Sequence, residues 1–574
     1  MNLEHLALLN AASDYYEKLE FDKALDCVNK VLQRDKTNIL ARNQKASILI
    51  ESWTGEESDI GRVKEAISHL RILCDSDPRN KAVYCYNLGN AFNTMAGYQI
   101  SRNKRALNES IIHNLETAKD YYQESLEINA SQPHVWINKG NIFQNLGRYF
   151  EAIECYDRAI LLQNDHYNAW ACRGLTCWHL SQIISDEEDR GLLFHHAMIY
   201  LAIEMALHPD NQIDKNTRKL VNTYIERNKI KIDYPELVKE QMPRKISLFG
   251  ERFNVLSLNE DGFQAFYYTF CQERRLFLNT HFDCSDCDLT TKDLLSVGFV
   301  ASISDAKRPY ELMKRWYSLL DEYKTARFFL TLSQYKHQDF AFLDKQRYEP
   351  DYSLNYIQNV ETLKYAFLIM MGIYDKIAFF LNYYDELGLS DDSINFWGSN
   401  SIFNQRPIVE NDNWNHNIVA MDSIRRDLEK KELRKMVDVR NYIVHRYFVL
   451  HDIVNIKDLT YPYDPNNTQI DNPDYHMDIH EFFNLTIRAL RNVRDMLFSL
   501  SFYISENESK KEEELGGIIP SLDWTASFDQ DPELTKIARE LEGEIVGSMK
   551  QCPDDITQSL MSETEYRTHE SNSR

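Results

Sequence analysis

Residues Pro133 to Asp165 read Pro-His-Val-Trp-Ile-Asn-Lys-Gly-Asn-Ile-Phe-Gln-Asn-Leu-Gly-Arg-Tyr-Phe-Glu-Ala-Ile-Glu-Cys-Tyr-Asp-Arg-Ala-Ile-Leu-Leu-Gln-Asn-Asp. Two helical stretches flank Leu146-Gly147. Trp136, Gly140 and Phe143 share a face of the first, and Ala152, Tyr156 and Ala159 share a face of the second. Gly140 and Ala152 have little or no side chain, so two antiparallel helices can approach closely there. Trp136 and Tyr156 are large enough to fill the gap to a neighbouring pair. One such pair cannot bury its apolar faces alone, so the pattern calls for copies of itself.

Copies lie on both sides. Leu88-Gly89 with Phe92, and Trp170 with Gly174, repeat the first helix. Ala24 with Val28 and Lys36, Ala66 with Pro78, Ala118 with Tyr122 and Ala130, and Ala197 with Leu201 and Pro209 repeat the second. The series resembles the tetratricopeptide repeat (TPR), which carries Trp, Gly, Tyr or Phe, Ala and Pro at fixed offsets. Insertions near Trp53–Gly61, Ser101–Ser110 and Ser185–Leu192 predict an irregular superhelix. Residues 214–231 read as a polar-faced helix capping the array. The resemblance implies a concave surface for a peptide, protein or nucleic-acid partner.

Composition narrows the function. A formal charge of −23 excludes general coating of nucleic acid, which needs a basic surface. Residues 425–446 depart from this background. Arg425, Arg426, Lys430, Lys431, Arg434, Lys435, Arg440 and Arg446 stand against Asp427, Glu429, Glu432 and Asp438, a local charge of +4. Such a run is ordinarily a solvated, salt-bridged helix face. No apolar run reads as long enough to span a bilayer, and Met1 is not followed by a cleavable signal. The ten scattered cysteines and those two readings predict a cytoplasmic protein without membrane contact.

Within the basic run, Met436 to Phe448 reads Met-Val-Asp-Val-Arg-Asn-Tyr-Ile-Val-His-Arg-Tyr-Phe. As one helix centred on Ile443, it buries Met436, Val439 and Leu450, with Val437, Val444 and Phe448 on the flank. Asn441 and His445, four apart, are neighbours on the polar face. Arg440 lies about 140° round the helix from His445, and Tyr447 about 160°, at the core edge, where packing explains it. Taken alone, His445 reads as a solvent-facing histidine and Arg440 as a partner of Asp438 or Glu432.

Arg440 through His445 resembles the Arg-x4–6-His signature of the HEPN superfamily of helical, metal-independent ribonucleases. His445-Arg446-Tyr447 also resembles a HEPN-toxin variant in which the tyrosine is AMP-modified, making Tyr447 a possible regulatory site. Arg275-Leu-Phe-Leu-Asn279, Ala326-Arg327, Asp375-Lys-Ile-Ala-Phe-Phe-Leu-Asn382 with Gly388, and Arg440-Asn441 with His445 narrow the resemblance to the LA2681-like HEPN type, over about residues 263–503. Thr280 stands where that family often has Pro, and the stretch after Cys284 departs from it. The resemblance implies a helical bundle whose site forms where two bundles meet, hence a homodimer or higher oligomer, and a place among toxin and phage-defence proteins.

RNA carries its own nucleophile, the 2′-hydroxyl, so cleavage without a metal needs a base, an acid and positive charge at the phosphorus. His445 can serve as base or acid. Arg440 can hold phosphate through two N–H groups, and Asn441 can orient His445 or contact phosphate. Arg434, Lys435 and Arg446 are candidate RNA contacts. No cofactor is expected. The competing expectation is a non-catalytic TPR–HEPN scaffold or RNA-binding protein that dimerises through its bundle.

His281, Cys284 and Cys287 form His-x2-Cys-x2-Cys. They are weak metal candidates, because the usual second Cys pair is missing and closed structural zinc needs four ligands. The sequence favours loop residues beside a free thiol. The expected architecture is all-α: a TPR array with capping helix over 1–232, a linker over 233–257 with a short strand at 245–249, an LA2681-like HEPN bundle over 258–505, and an acidic tail over 506–574. The tail is partly disordered, with one amphipathic helix over 534–549.

Overall fold

Between Leu3 and Leu207, the described residues form ten α-helices. They are α1 (Leu3–Glu17), α2 (Phe21–Arg34), α3 (Ile39–Glu51), α4 (Ile60–Ser76), α5 (Lys81–Arg102), α6 (Glu109–Ile128), α7 (Pro133–Asn145), α8 (Tyr149–Leu162), α9 (Tyr167–Ile183) and α10 (Glu187–Leu207). Each packs on the next, and the first helices of successive pairs also touch: α1 on α3, α3 on α5, α5 on α7, α7 on α9. This is the layering of a helical-repeat solenoid. The computed structural model describes residues 3–52, 60–102, 107–209, 215–230, 234–243, 252–256, 260–281, 284, 287–300, 307–336, 357–390, 393–405, 409–410, 413–451 and 474–514. They fall mainly into two units, one built on Met1–Pro243 and one on Arg244–Val409 with Asn417–Trp524.

The small residues of the repeat pattern do what their size suggests. Ala24, Ala66, Ala118, Ala152 and Ala197, one on each second helix, are all fully buried. A Cβ on Gly140 would stand 2.5 Å from the Tyr156 ring, and Gly89 is pressed on Tyr122 in the same way. The phenol of each tyrosine donates to the residue after its glycine: Tyr156 to Asn141 Oδ1 at 2.9 Å, Tyr122 to Asn90 Oδ1 at 2.7 Å. Trp136 and Trp170 each donate through Nε1 to the carbonyl six residues back, Ala130 and Asn164. Gly147 takes φ +76° at the end of α7, a left-handed turn that suits glycine. Near the expected insertions at Ser101–Ser110 and Ser185–Leu192 the helices are long: α5, α6 and α10 have 22, 20 and 21 residues, against 13 and 14 in α7 and α8; most of the Trp53–Gly61 insertion lies outside the described residues. Arg173 and Asp157, both fully buried, join α9 to α8 through a 2.5 Å ion pair.

Helix α11 (Lys215–Arg227) packs on α10 through the buried Val221 and Ile225, as the expected capping helix does. The linker reading needs correction: α12 (Tyr234–Gln241) lies inside it. Pro235 sits in the first turn of α12, where its missing N–H costs nothing. The expected strand over 245–249 and amphipathic helix over 534–549 lie outside the described residues.

The second unit begins at α13 (Glu260–Glu273), and three long helices carry its core: α14 (Lys307–Leu332), α15 (Ile357–Tyr384) and α18 (Ile479–Glu514). They pack pairwise, α14 on α15, α15 on α18 and α14 on α18. Two shorter helices, α16 (His416–Glu429) and α17 (Lys431–His445), precede a parallel pair of short strands, β1 (Tyr447–His451) and β2 (Asp474–Asp478). Phe482, Leu485, Leu490, Val493 and Leu497 recur along α18 at the spacing of one apolar face, as on an amphipathic helix. Between Phe482 and Ile504 it is instead buried on nearly every side, taking Arg491, Asn492, Arg494 and Asp495 inside with it, as a central helix must. It also continues to Glu514, past the expected end of the domain at 505. The stretch Gln358–Tyr384 within α15 has the length and mean hydropathy, 1.3, of a membrane-crossing helix, contrary to the expectation that no run does. Its apolar residues, among them Phe367, Met370, Ile377 and Leu381, are buried within this unit.

Candidate functional site

Helix α17 positions the Arg-His motif, and it is shorter than expected. Leu433, Met436, Val437 and Val439 are buried, but Ile443 is only half-buried and Val444 is 48% exposed. The last turn therefore lifts off the core. The chain leaves the helix at Arg446, whose backbone is extended, and Tyr447–His451 pairs with Asp474–Asp478 in register Phe448 to Tyr475 and Leu450 to Met477. Phe448 and Leu450 are buried on alternate positions, the period of a strand. Phe448 meets Phe482 of α18 edge-on at 5.1 Å. Tyr447, expected at the core edge of a continuing helix, is 71% exposed on the strand. Reversing the chain from helix to strand turns it outward.

Asn441 and His445 are both exposed one turn apart, as their spacing predicts. Arg440 starts from a different side of α17, but its guanidinium swings round. Nη1 donates to Asn441 Oδ1 at 3.1 Å, so the cation lies against the amide one turn before His445. Sequence reasoning had separated Arg440 from this face, because ideal-helix angles place backbones and say little about where a long side chain ends. Arg440 also acts electrostatically on Asp375 of α15. Burial raises the Asp375 carboxyl above its ordinary range. A backbone N–H from Phe396 and the charge of Arg440 pull it partly back. Asp375 was visible in the sequence only as a family landmark; nothing in its spacing links it to a residue 65 positions on.

The rest of the basic run is largely neutralised within the chain. Arg425 pairs with Asp422 and Glu429, and Arg426 with Asp422. Among the candidate RNA contacts, Arg434 pairs with Asp438 at 3.3 Å and Lys435 with Glu481. Arg446 lies over the Tyr442 ring, 5.3 Å from its centre. Asp438 is thus held by Arg434 and not by Arg440.

The His-x2-Cys-x2-Cys loop lies elsewhere in the second unit, after α13. His281 is buried, Cys284 and Cys287 are half-buried, and their ligand atoms all lie within 4.8 Å of one another.

Residues 303–507 match the family model of the LA2681-like HEPN domain, and residues 133–166 match that of the tetratricopeptide repeat. The chain is a TPR protein with a C-terminal LA2681-like HEPN domain. The match includes Arg440, Asn441, His445 and Asp375, and begins after the Arg275–Asn279 landmark. A tetratricopeptide repeat-containing protein of Caenorhabditis elegans is 28% identical over 160 residues, 25% of this chain and 20% of that protein. The STIP1 homolog of Dictyostelium discoideum is 27% identical over 154 residues, 25% of this chain and 27% of that one. Both shares are small, so these proteins resemble this chain over a fraction of their length. Among solved structures, a thermophilic TPR protein of Thermus thermophilus is similar at 15% identity, over 39% of this chain and 99% of that one, with a TM-score of 0.29.

Proposed function

We propose that this protein is a metal-independent endoribonuclease whose HEPN site is controlled through its TPR array, acting in the cytoplasm in phage defence or toxin-type growth arrest. The observation that carries the reading is the Arg440–Asn441 hydrogen bond one turn before the exposed His445, at the end of α17. One imidazole takes the proton of the RNA 2′-hydroxyl as its oxygen bonds to phosphorus. The P–O5′ bond breaks, and the leaving oxygen takes a proton from a second imidazole. Arg440 steadies the charge on the phosphorane, and Asn441 holds the guanidinium. The products are a 2′,3′-cyclic phosphate and a 5′-hydroxyl. Each chain offers one such histidine, so a second copy supplies the other. The exposed Val444 and Tyr447 beside the motif suit that contact. Tyr447 is exposed enough to be modified there.

The half-buried amides of Asn43, Asn87, Asn90 and Asn141 on the first helices of the repeats suit an extended peptide, whose backbone donates and accepts in the same way. That face is the proposed partner surface.

The internal pairing of Arg434 and Lys435 favours a second reading, a scaffold that dimerises through its bundle without cutting RNA. Purified protein is incubated with total cellular RNA in Mg2+-free buffer beside His445→Ala, with end-group analysis. Cleavage by the wild type alone, leaving cyclic phosphate and 5′-hydroxyl ends, supports the ribonuclease. If neither protein cleaves, and expression of both is equally harmless, the scaffold stands.

A further inference from the structure

The sequence argues against a metal at His281, Cys284 and Cys287, because no second cysteine pair follows. The fold argues for one. We propose that these three side chains bind a zinc ion through His281 Nδ1, Cys284 Sγ and Cys287 Sγ, with water as the fourth ligand.

Distance is the first ground. The three ligand atoms lie within 4.8 Å of one another, and Cys287 Sγ stands 3.3 Å from His281 Nδ1. Zinc bond lengths at a tetrahedral angle put two sulfurs about 3.8 Å apart and a sulfur and a nitrogen about 3.6 Å apart. The cluster is therefore near the size of an occupied site: His281 Nδ1 and Cys287 Sγ part by about 0.3 Å to admit the ion, and the other pairs close by at most about 1.2 Å.

The second ground is the frame that holds the loop. His281 N–H donates to Asn279 Oδ1 at 3.0 Å, and the buried Asn279 amide donates to the carbonyls of Leu289, Thr290 and Lys292. Cys284 N–H donates to the His281 carbonyl at 3.1 Å, and Thr290 N–H to that of Cys287 at 3.1 Å. Leu289 N–H donates to Cys287 Sγ at 3.4 Å, which fixes the position of the sulfur. Ligands set this firmly need little reorganisation to bind.

The third ground is donor chemistry. Two thiolates and an imidazole select zinc over magnesium or calcium, which prefer oxygen. The burial of His281 limits competing water, while the half-exposed sulfurs leave a way in. Arg440 and His445 take no part, so the proposal is independent of RNA cleavage. The ion's task is to pin the loop whose other end, at Asp293, anchors Arg327 of α14.

The test is elemental analysis of the full chain purified without metal-affinity chromatography. We expect about one zinc per chain, lost in Cys284→Ser/Cys287→Ser and kept in Cys74→Ser, a change to a thiol of the repeat array. No zinc in the wild type, or zinc kept by the double variant, overturns the proposal. Should the double variant misfold, metal-stripped wild type is titrated with Co2+. A thiolate-to-cobalt charge-transfer band supports the site; a cobalt spectrum of oxygen and nitrogen ligands alone refutes it.

Discussion

Removing the Asp293 carboxylate should destabilise the HEPN unit more than any surface change near the motif. Asp293 accepts from Arg327 Nη1 at 2.7 Å and Nη2 at 2.6 Å, and from Leu278 N–H at 2.8 Å. The Arg327 side chain is 4% exposed and that of Asp293 15%. Burial opposes the arginine's charge, but the bonds to Asp293 and its charge more than offset this, so Arg327 stays firmly protonated. In Asp293→Ala the guanidinium would keep the Tyr267 hydroxyl, the Leu276 carbonyl and the Phe277 ring, and lose the counter-charge of Asp293. Orphaning a buried charge costs about 3–5 kcal/mol. Asp293 is partly open and water can enter, so the lower end, about 3 kcal/mol, applies. For a unit of this size that lowers the melting temperature by roughly 6–12 °C. Asp293→Asn, which keeps an acceptor for Leu278, should lose about half as much. Asp293→Leu with Arg327→Met, which removes both charges, should recover most of the loss. Calorimetry of the four proteins decides. A single Asp293→Ala within about 1 kcal/mol of wild type, or a double variant as poor as the single, would refute the reasoning.

Two glycine substitutions should move stability in opposite directions. Gly140→Ala drives a methyl group into the Tyr156 ring and should cost about 1–3 kcal/mol; Gly372→Ala, with open space around its Cβ in mid-helix, should gain about 0.5–1 kcal/mol. Chemical denaturation reads both. Asp375 predicts a pH dependence. Its folded pKa is raised, so its contribution to stability is fully present below the ordinary aspartate pKa of about 3.9 and is lost as pH rises through the raised value. Asp375→Asn should therefore be more stable than wild type at neutral pH, with the gap closing in acid; melting curves across that range would expose an unchanging gap as a failure. The same variant removes a charge acting on Arg440, so under the proposed ribonuclease mechanism RNA cleavage should fall while stability rises.

Much of the fold was legible because its signals are local. The repeat pattern needs only residues within one helix pair: Gly140 and Tyr156 meet across a turn of a few residues, and all five second-helix alanines are fully buried as read. The strand at Tyr447–His451 was missed, although Tyr-Phe-Val-Leu-His is rich in β-formers, because its partner lies some 27 residues on at Asp474. Extending the helix through it misplaced Tyr447. The central place of α18 is hidden in the sequence for a related reason: Arg491 and Arg494 look like a solvent face until α14 and α15 are seen to pack on that helix.

The sequence by itself singled out Arg440, Asn441 and His445 as the candidate site, and determined that Asn441 and His445 share a helix face. Fixed helical geometry sets that relation. Only the tertiary structure decided that Arg440 reaches the same end, that Asp375 lies within its field, and that Arg434 and Lys435 are held by carboxylates of the same chain. It also brought His281, Cys284 and Cys287 within one ion's reach. Long side chains and loops take their positions from whatever packs around them, and spacing along the chain does not record that.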